Sequence, residues 1–171
     1  DMAVGKMTAG LELHRSLVAR GRKAAFLASG QTGITIMGSG IPLDAFRVDH
    51  ASGAVERMVL EAADNDVVVI EGQGSLLHPG STATLPLMRG SACNAMILCH
   101  RAGMTSLDTL DHVKVPPLPD VIALNEQMAQ AGSDAGLGNA SLHIASQVVG
   151  PATARSDADF RLADHGRYGS P

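Results

Sequence analysis

Apolar residues follow two different rhythms along the chain. Leu11, Leu13, Leu17 and Val18 fall between Glu12, Arg15 and Arg20, so residues 6–20 read as a helix with one buried face, closed by Gly21. Val55, Met58, Val59 and Ala62 repeat that spacing and place a second helix between Gly53 and Asn65. The other rhythm is the short unbroken apolar run. Ala24–Ala28, Val67–Ile70 and Ala95–Cys99 each have the length and continuity of a strand buried on both faces. Pro116-Pro117-Leu118-Pro119 is a rigid break, after which Asp120 can cap a helix running through Val121, Leu124, Met128 and Ala131. A weaker strand spans Leu142 to Val149, and from Gly150 onward no pattern assigns an element. The expected organisation is one domain over residues 1–150 with an unplaced tail over 151–171.

Helices alternating with short apolar strands predict an α/β fold: a mostly parallel sheet with helices on both faces. Such sheets take ligands beyond the carboxyl ends of their strands. Three loops are expected there: residues 3–8, Ser29–Gly33 and Glu71–Pro79. Gly30 to Gly40 holds four glycines in eleven residues and reads as a functional loop rather than a regular element.

Composition narrows the function classes. Trp is absent, with one Tyr and three Phe, so the core must be aliphatic and no aromatic platform is available for stacking bases. A net charge of −4 with no basic run argues against a nucleic-acid partner. No apolar stretch reaches transmembrane length and no leader is evident, so a cytoplasmic protein without a membrane partner is expected. Cys93 and Cys99 lack metal-ligand spacing and read as two buried thiols in a reducing compartment.

The candidate chemistry starts at Ala3-Val4-Gly5-Lys6-Met7-Thr8. Gly5 lets the backbone turn its N–H groups towards a phosphate, Lys6 adds a positive charge, and the next helix presents its N-terminus to the same anion. Thr8 can offer a hydroxyl to magnesium, whereas Met7 stands where Ser or Thr commonly follows the lysine. A glycine turn with a solvated lysine is the plain alternative. A phosphate loop of this kind follows a buried strand; that first strand and the leading loop glycine are expected to be missing from a fragment of a longer protein. The second feature is Glu71-Gly72-Gln73-Gly74-Ser75, directly after the β-branched run. An acid at such a strand end can reach a metal that bridges phosphates, or can simply cap the strand. His78 is a candidate general base, or else structural, and Ser75 a weaker nucleophile or hydrogen-bonding group. Asp49 is a candidate second carboxylate on the metal side, or an ordinary loop acid. Gln31, Thr32, Gly72, Gln73 and Gly74 are candidates for contacting substrate. His100 and Arg101 follow a strand end, and Arg89 and Arg101 are the cations considered for a dicarboxylate.

Taken together, Asp1–Thr8, Ala28–Ile34 and Val69–Pro79 resemble the C-terminal P-loop domain of a two-domain bacterial and archaeal family whose characterised members are D-glutamate N-acetyltransferases. The resemblance covers roughly residues 1–130 and weakens from Gly150. It implies a P-loop NTPase-like fold, an N-terminal Rossmann-like domain elsewhere in the same polypeptide, and transfer of an acetyl group from acetyl-CoA to a small-molecule amino acid. For such a reaction Ala3–Thr8 are expected to hold the coenzyme phosphates, His78 to take the proton of the substrate amine, and the backbone N–H groups of Gly72–Gly74 to stabilise the oxyanion. A homo-oligomer is expected. The domain is similar, more distantly, to dethiobiotin synthetase, which implies ATP with Mg2+ and puts Thr8, Asp49 and Glu71 on the metal side. A non-catalytic nucleotide-binding module is the third reading.

Overall fold

The computed structural model describes residues 3–108, 110–133, 141–147 and 161–163. Helix α1 (Lys6–Ala19) leads into strand β1 (Ala24–Leu27), followed by α2 (Gln31–Met37), a single 3-10 turn at Leu43–Ala45, α3 (Val48–Glu61) and β2 (Val67–Ile70). Helix α4 (Thr84–Ser91), β3 (Ala95–Arg101), the short pair β4 (Ser106–Leu107) and β5 (Leu110–Lys114), α5 (Leu118–Ser133), β6 (Ser141–Gln147) and β7 (Arg161–Ala163) complete the order.

β1 and β2 pair in parallel, Ala24 opposite Val67 and Leu27 opposite Ile70. β3 pairs in parallel with β6, and β7 runs antiparallel on the far side of β6. Phe26 and Val69 share one face of the first pair, packed under Leu11, Leu13 and Leu17 of α1 and Ile34 and Met37 of α2. Ile70 turns to the opposite face, against a cluster of Leu43, Ala51, Val55, Ala83 and Leu87 that joins α3 to α4. Helices therefore cover both faces, as a doubly wound sheet requires. α1 stops where the chain makes paired closing bonds: Arg22 N–H to the Leu17 carbonyl (3.0 Å) and Gly21 N–H to that of Val18 (2.9 Å).

Several expectations change here. Gly30–Gly40 is not a loop: residues 31–37 form α2, which starts after the extended Gly30 and ends at Gly38. Its two terminal glycines are the helix boundaries, and Ile34 and Met37 supply the apolar face that a glycine count hides. Asp49 lies in the first turn of α3 rather than in a loop. α5 begins at Leu118, inside the proline run, because Pro119 falls in the first turn, where a missing N–H costs nothing. Asp120 is thus a first-turn acid and not the cap. Helix α4 and the β4–β5 hairpin were not expected, and within the patternless tail β7 forms a short strand.

Candidate functional site

Gly5 takes a left-handed conformation (φ 92°) immediately before α1, and its carbonyl accepts the Ala9 N–H at 2.9 Å. Only glycine adopts that turn without strain. It buries Val4 to 3 % exposure and aims the first helical turn past Gly5. No acidic residue occupies that turn, so nothing on the helix itself offsets the positive end of its dipole.

Lys6 runs from this turn to the end of β2. Its side chain lies along Gly72, where an added Cβ would sit 3.3 Å from Lys6 Cδ. Burial pushes the Lys6 ammonium below its ordinary value, against the opposing pull of Cys99 and Glu71. Burial likewise pushes the Cys99 thiol up, with Lys6 pulling it back. The cation from the first loop and the carboxylate at the end of β2 are thus close enough to feel one another, as the two sequence segments suggested.

Glu71 is 5 % exposed, and its Oε2 accepts backbone N–H groups from Ser29 (3.0 Å) and Gly30 (3.2 Å). Ser29 Oγ returns a hydrogen bond to the Glu71 carbonyl at 2.7 Å. Glu71 therefore ties the loop after β1 to the loop after β2 and meets the first amides before α2. Gly33 must be glycine because a Cβ there would collide with Glu71 Oε2. The following loop is held from the other side: Thr84 Oγ1 donates to the Gln73 carbonyl (2.8 Å), and Ser75 N–H donates to Ser81 Oγ (3.0 Å). Ser81 and Thr84 escaped the sequence reading, and Ser29 entered it only as the start of a loop; isolated hydroxyl residues carry no spacing signal.

A cavity of about 1060 Å³ opens beside these groups. Val4, Lys6, Gly72, Gln73, Gly74 and Ser75 line it, as do His100 and Arg101. Other candidates lie apart from it. Gln31 and Thr32 are exposed at the start of α2, and Thr8 is exposed on α1. Asp49 is exposed on α3 and Arg89 on the last turn of α4. Among the described residues no three His, Cys, Asp or Glu side chains gather as a metal site.

His78 has a geometry at odds with the base expected of it. Its Nδ1 accepts the Gly80 N–H at 3.1 Å, so the neutral ring carries its proton on Nε2. That Nε2 is shielded and has no hydrogen-bond partner among the described residues. Neither nitrogen presents a lone pair to the cavity; the ring instead organises the turn in which His78 N–H bonds the Ser75 carbonyl and Ser81 N–H bonds the His78 carbonyl. Ser75 Oγ is likewise occupied, accepting the Leu77 N–H at 3.2 Å.

A left-handed glycine turn, a lysine at the head of the next helix and a buried acid closing a parallel strand define a P-loop α/β domain. The family profile described as "Domain of unknown function (DUF1611_C) P-loop domain" matches residues 1–155, and the chain belongs to that family. It is 40 % identical over 131 residues to a protein of Tritonibacter scottomollicae named D-glutamate N-acetyltransferase, covering 76 % of this chain and 39 % of the relative. A protein of the same name from Pseudoalteromonas is 37 % identical over 126 residues, covering 73 % of this chain and 38 % of its own length. The crystal structure of a DUF1611 family protein from Anabaena variabilis superposes with a TM-score of 0.81 at 50 % identity, over 86 % of this chain and 42 % of that one. The chain spans about two fifths of the length of these relatives. Among the described residues no helix is long and apolar enough to cross a membrane.

Proposed function

We propose that this domain serves an N-acetyltransferase acting on D-glutamate or a similar amino acid, and that its P-loop grips the phosphates of acetyl-CoA. The observation that carries the reading is the shared name of the two curated relatives at 40 % and 37 % identity over most of this chain. The site supports it in a second way. Coenzyme A carries a pyrophosphate and a ribose phosphate, and Lys6 with the first turn of α1 provides a cation and backbone donors for such anions beside this cavity.

The reaction balances simply. The substrate amine attacks the thioester carbonyl carbon, the C–S bond breaks, and the proton lost by nitrogen ends on the coenzyme sulfur. Backbone N–H groups of Gly72–Gly74 are suited to the developing oxyanion, because Ser81 and Thr84 already hold that loop rigid. His78 has no role as base in this scheme.

The test is to mix the full-length protein with acetyl-CoA and D-glutamate and follow free thiol release and the N-acetyl product, with L-glutamate as control. No thiol release with any amino acid would sink the proposal. The approach of Lys6 to Glu71 also suits a magnesium-dependent kinase or ligase. ADP released from ATP in a substrate-dependent manner would favour that reading instead.

A further inference from the structure

Sheets of this kind take ligands beyond the carboxyl ends of their parallel strands. β3 ends at Arg101, opposite Gln147 of its parallel partner β6. The chain then turns sharply: Gly103 is left-handed (φ 74°), and the Met104 N–H bonds back to the Arg101 carbonyl at 3.4 Å. It continues into the β4–β5 hairpin, whose open end is closed by the Val115 N–H to the Thr105 carbonyl (3.1 Å). Leu107, 1 % exposed, anchors the hairpin in the core. Between the strand end and the hairpin lies a second cavity, of about 290 Å³. The proposed grip on the coenzyme phosphates does not use it.

Arg101, Thr105, Ser106, Asp108 and Asp111 are its polar lining residues. Ligand pockets run from roughly 300 to 1,000 Å³, so this one stands at the lower end and suits a small metabolite rather than a coenzyme. Its charges are of both signs. A guanidinium presents a planar fork that matches a carboxylate with two parallel hydrogen bonds. An ionised carboxyl group only accepts, and so suits an ammonium. One cation with two acids favours a ligand that carries both groups. It disfavours a bare polyanion such as a nucleotide phosphate, which Asp108 and Asp111 would repel.

The strand also ties this cavity to the P-loop. Side chains alternate along a strand, so Cys99 and Arg101 project from the same face of β3. The Cys99 thiol is within electrostatic reach of Lys6. Arg101 stands about 7 Å further along the same row, towards the carboxyl end. We propose that the cavity between the end of β3 and the β4–β5 hairpin binds a small amino acid, with Arg101 holding a carboxylate and Asp108 and Asp111 serving the ammonium. That amino acid is the acceptor on the transferase reading, on which the choice of ligand rests.

Calorimetry on the full-length protein tests the site without requiring turnover. D-glutamate and glutarate, which keeps both carboxylates and lacks the amine, are titrated in saturating free coenzyme A; acetyl-CoA is titrated separately. Arg101→Met should weaken D-glutamate and glutarate alike by at least roughly tenfold, the loss of a charge-assisted pair. Acetyl-CoA affinity should change by less than about twofold. The double variant Asp108→Asn/Asp111→Asn, altered at exposed positions that folding tolerates, should weaken D-glutamate by at least roughly fivefold and spare glutarate. Unchanged D-glutamate affinity in either variant overturns the proposal. So does an equal loss of acetyl-CoA affinity in Arg101→Met, which puts that residue in the coenzyme grip. Failure of the wild-type protein to bind D-glutamate or any other amino acid overturns it as well. Binding that depends on Arg101 and the two acids, with no thiol release from acetyl-CoA, sustains the site and sinks only the transferase reading.

Discussion

Replacing Glu71 separates a clamp from a catalyst. The Glu71→Ala change removes the acceptor for the Ser29 and Gly30 N–H groups, both in the buried interior. An unsatisfied buried donor costs about 1–3 kcal/mol, so two cost about 2–6 kcal/mol, and release from burying a carboxylate returns part of that. We expect a net loss of about 3 kcal/mol. With an m-value of about 2 kcal/mol/M in urea, the unfolding midpoint falls by about 1.5 M, followed by circular dichroism. Glu71→Gln keeps one acceptor oxygen and loses only about 1–2 kcal/mol. The pH dependence supplies a second signature. Lys6 is held below its ordinary value by burial and partly restored by Cys99 and Glu71, so removing Glu71 lowers it further. A lysine with a depressed folded value binds fewer protons folded than unfolded between that value and its ordinary one. Stability therefore rises with pH across that window, and the deficit of Glu71→Ala shrinks as pH climbs towards the ordinary lysine range. A midpoint shift below about 0.3 M with turnover abolished would refute the clamp and make Glu71 a chemical group.

Four further changes probe the rest of the site and its scaffold. Gly33→Ala drives a methyl group into Glu71 Oε2, with Ala28 Cβ 3.1 Å away on the other side; about 1–3 kcal/mol should be lost in a urea titration, and wild-type stability would deny the close approach. Gly90→Ala collides with the Ser52 carbonyl and sits 2.7 Å from Val55 Cβ, prising α4 from α3; thermal unfolding should fall by several degrees, and an unchanged midpoint would contradict that packing. Lys6→Met should weaken acetyl-CoA binding by about tenfold to a hundredfold in calorimetry while leaving the unliganded protein as stable or more so; unaltered affinity would remove Lys6 from the phosphate site. His78→Ala should lower turnover of the full-length enzyme by less than about tenfold, and a fall beyond about a hundredfold would restore the ring as proton carrier.

The sequence made some parts of this fold plain and others invisible, for physical reasons. Val67–Ile70 is legible because β-branched continuity has no competing explanation, and its bounds are reproduced residue for residue. α1 is legible because its apolar stripe and its closing glycine agree. α4 is hidden by Pro86 and Gly90, residues that normally break helices. Pro86 is tolerated in the first turn, and Gly90 lets α4 lie against Ser52 and Val55 of α3. α2 is hidden because glycines at both ends look like a loop until the intervening Ile34 and Met37 find Phe26. At the site, the approach of Lys6 to Glu71 was readable from two loops at strand ends. The orientation of His78 was not: it turns on a hydrogen bond to an N–H two residues ahead, which no residue identity encodes.

Burial dominates the electrostatics around Lys6. Lys6 is half-buried and its charge is disfavoured there by burial. Of its two negative influences, the thiol of Cys99 is itself pushed up by burial and so stays neutral where a thiolate would be needed to help. The other, Glu71, already spends one oxygen on two backbone donors. A cation kept in such a place destabilises the unliganded domain, and evolution retains that kind of cost where a ligand repays it. On the proposed reading, a bound phosphate adds negative charge beside Lys6, raises it towards its ordinary value and meets the N-terminal amides of α1. Such gains suit the proposed grip on acetyl-CoA, in which the phosphates are held while the thioester reacts at the coenzyme's far end.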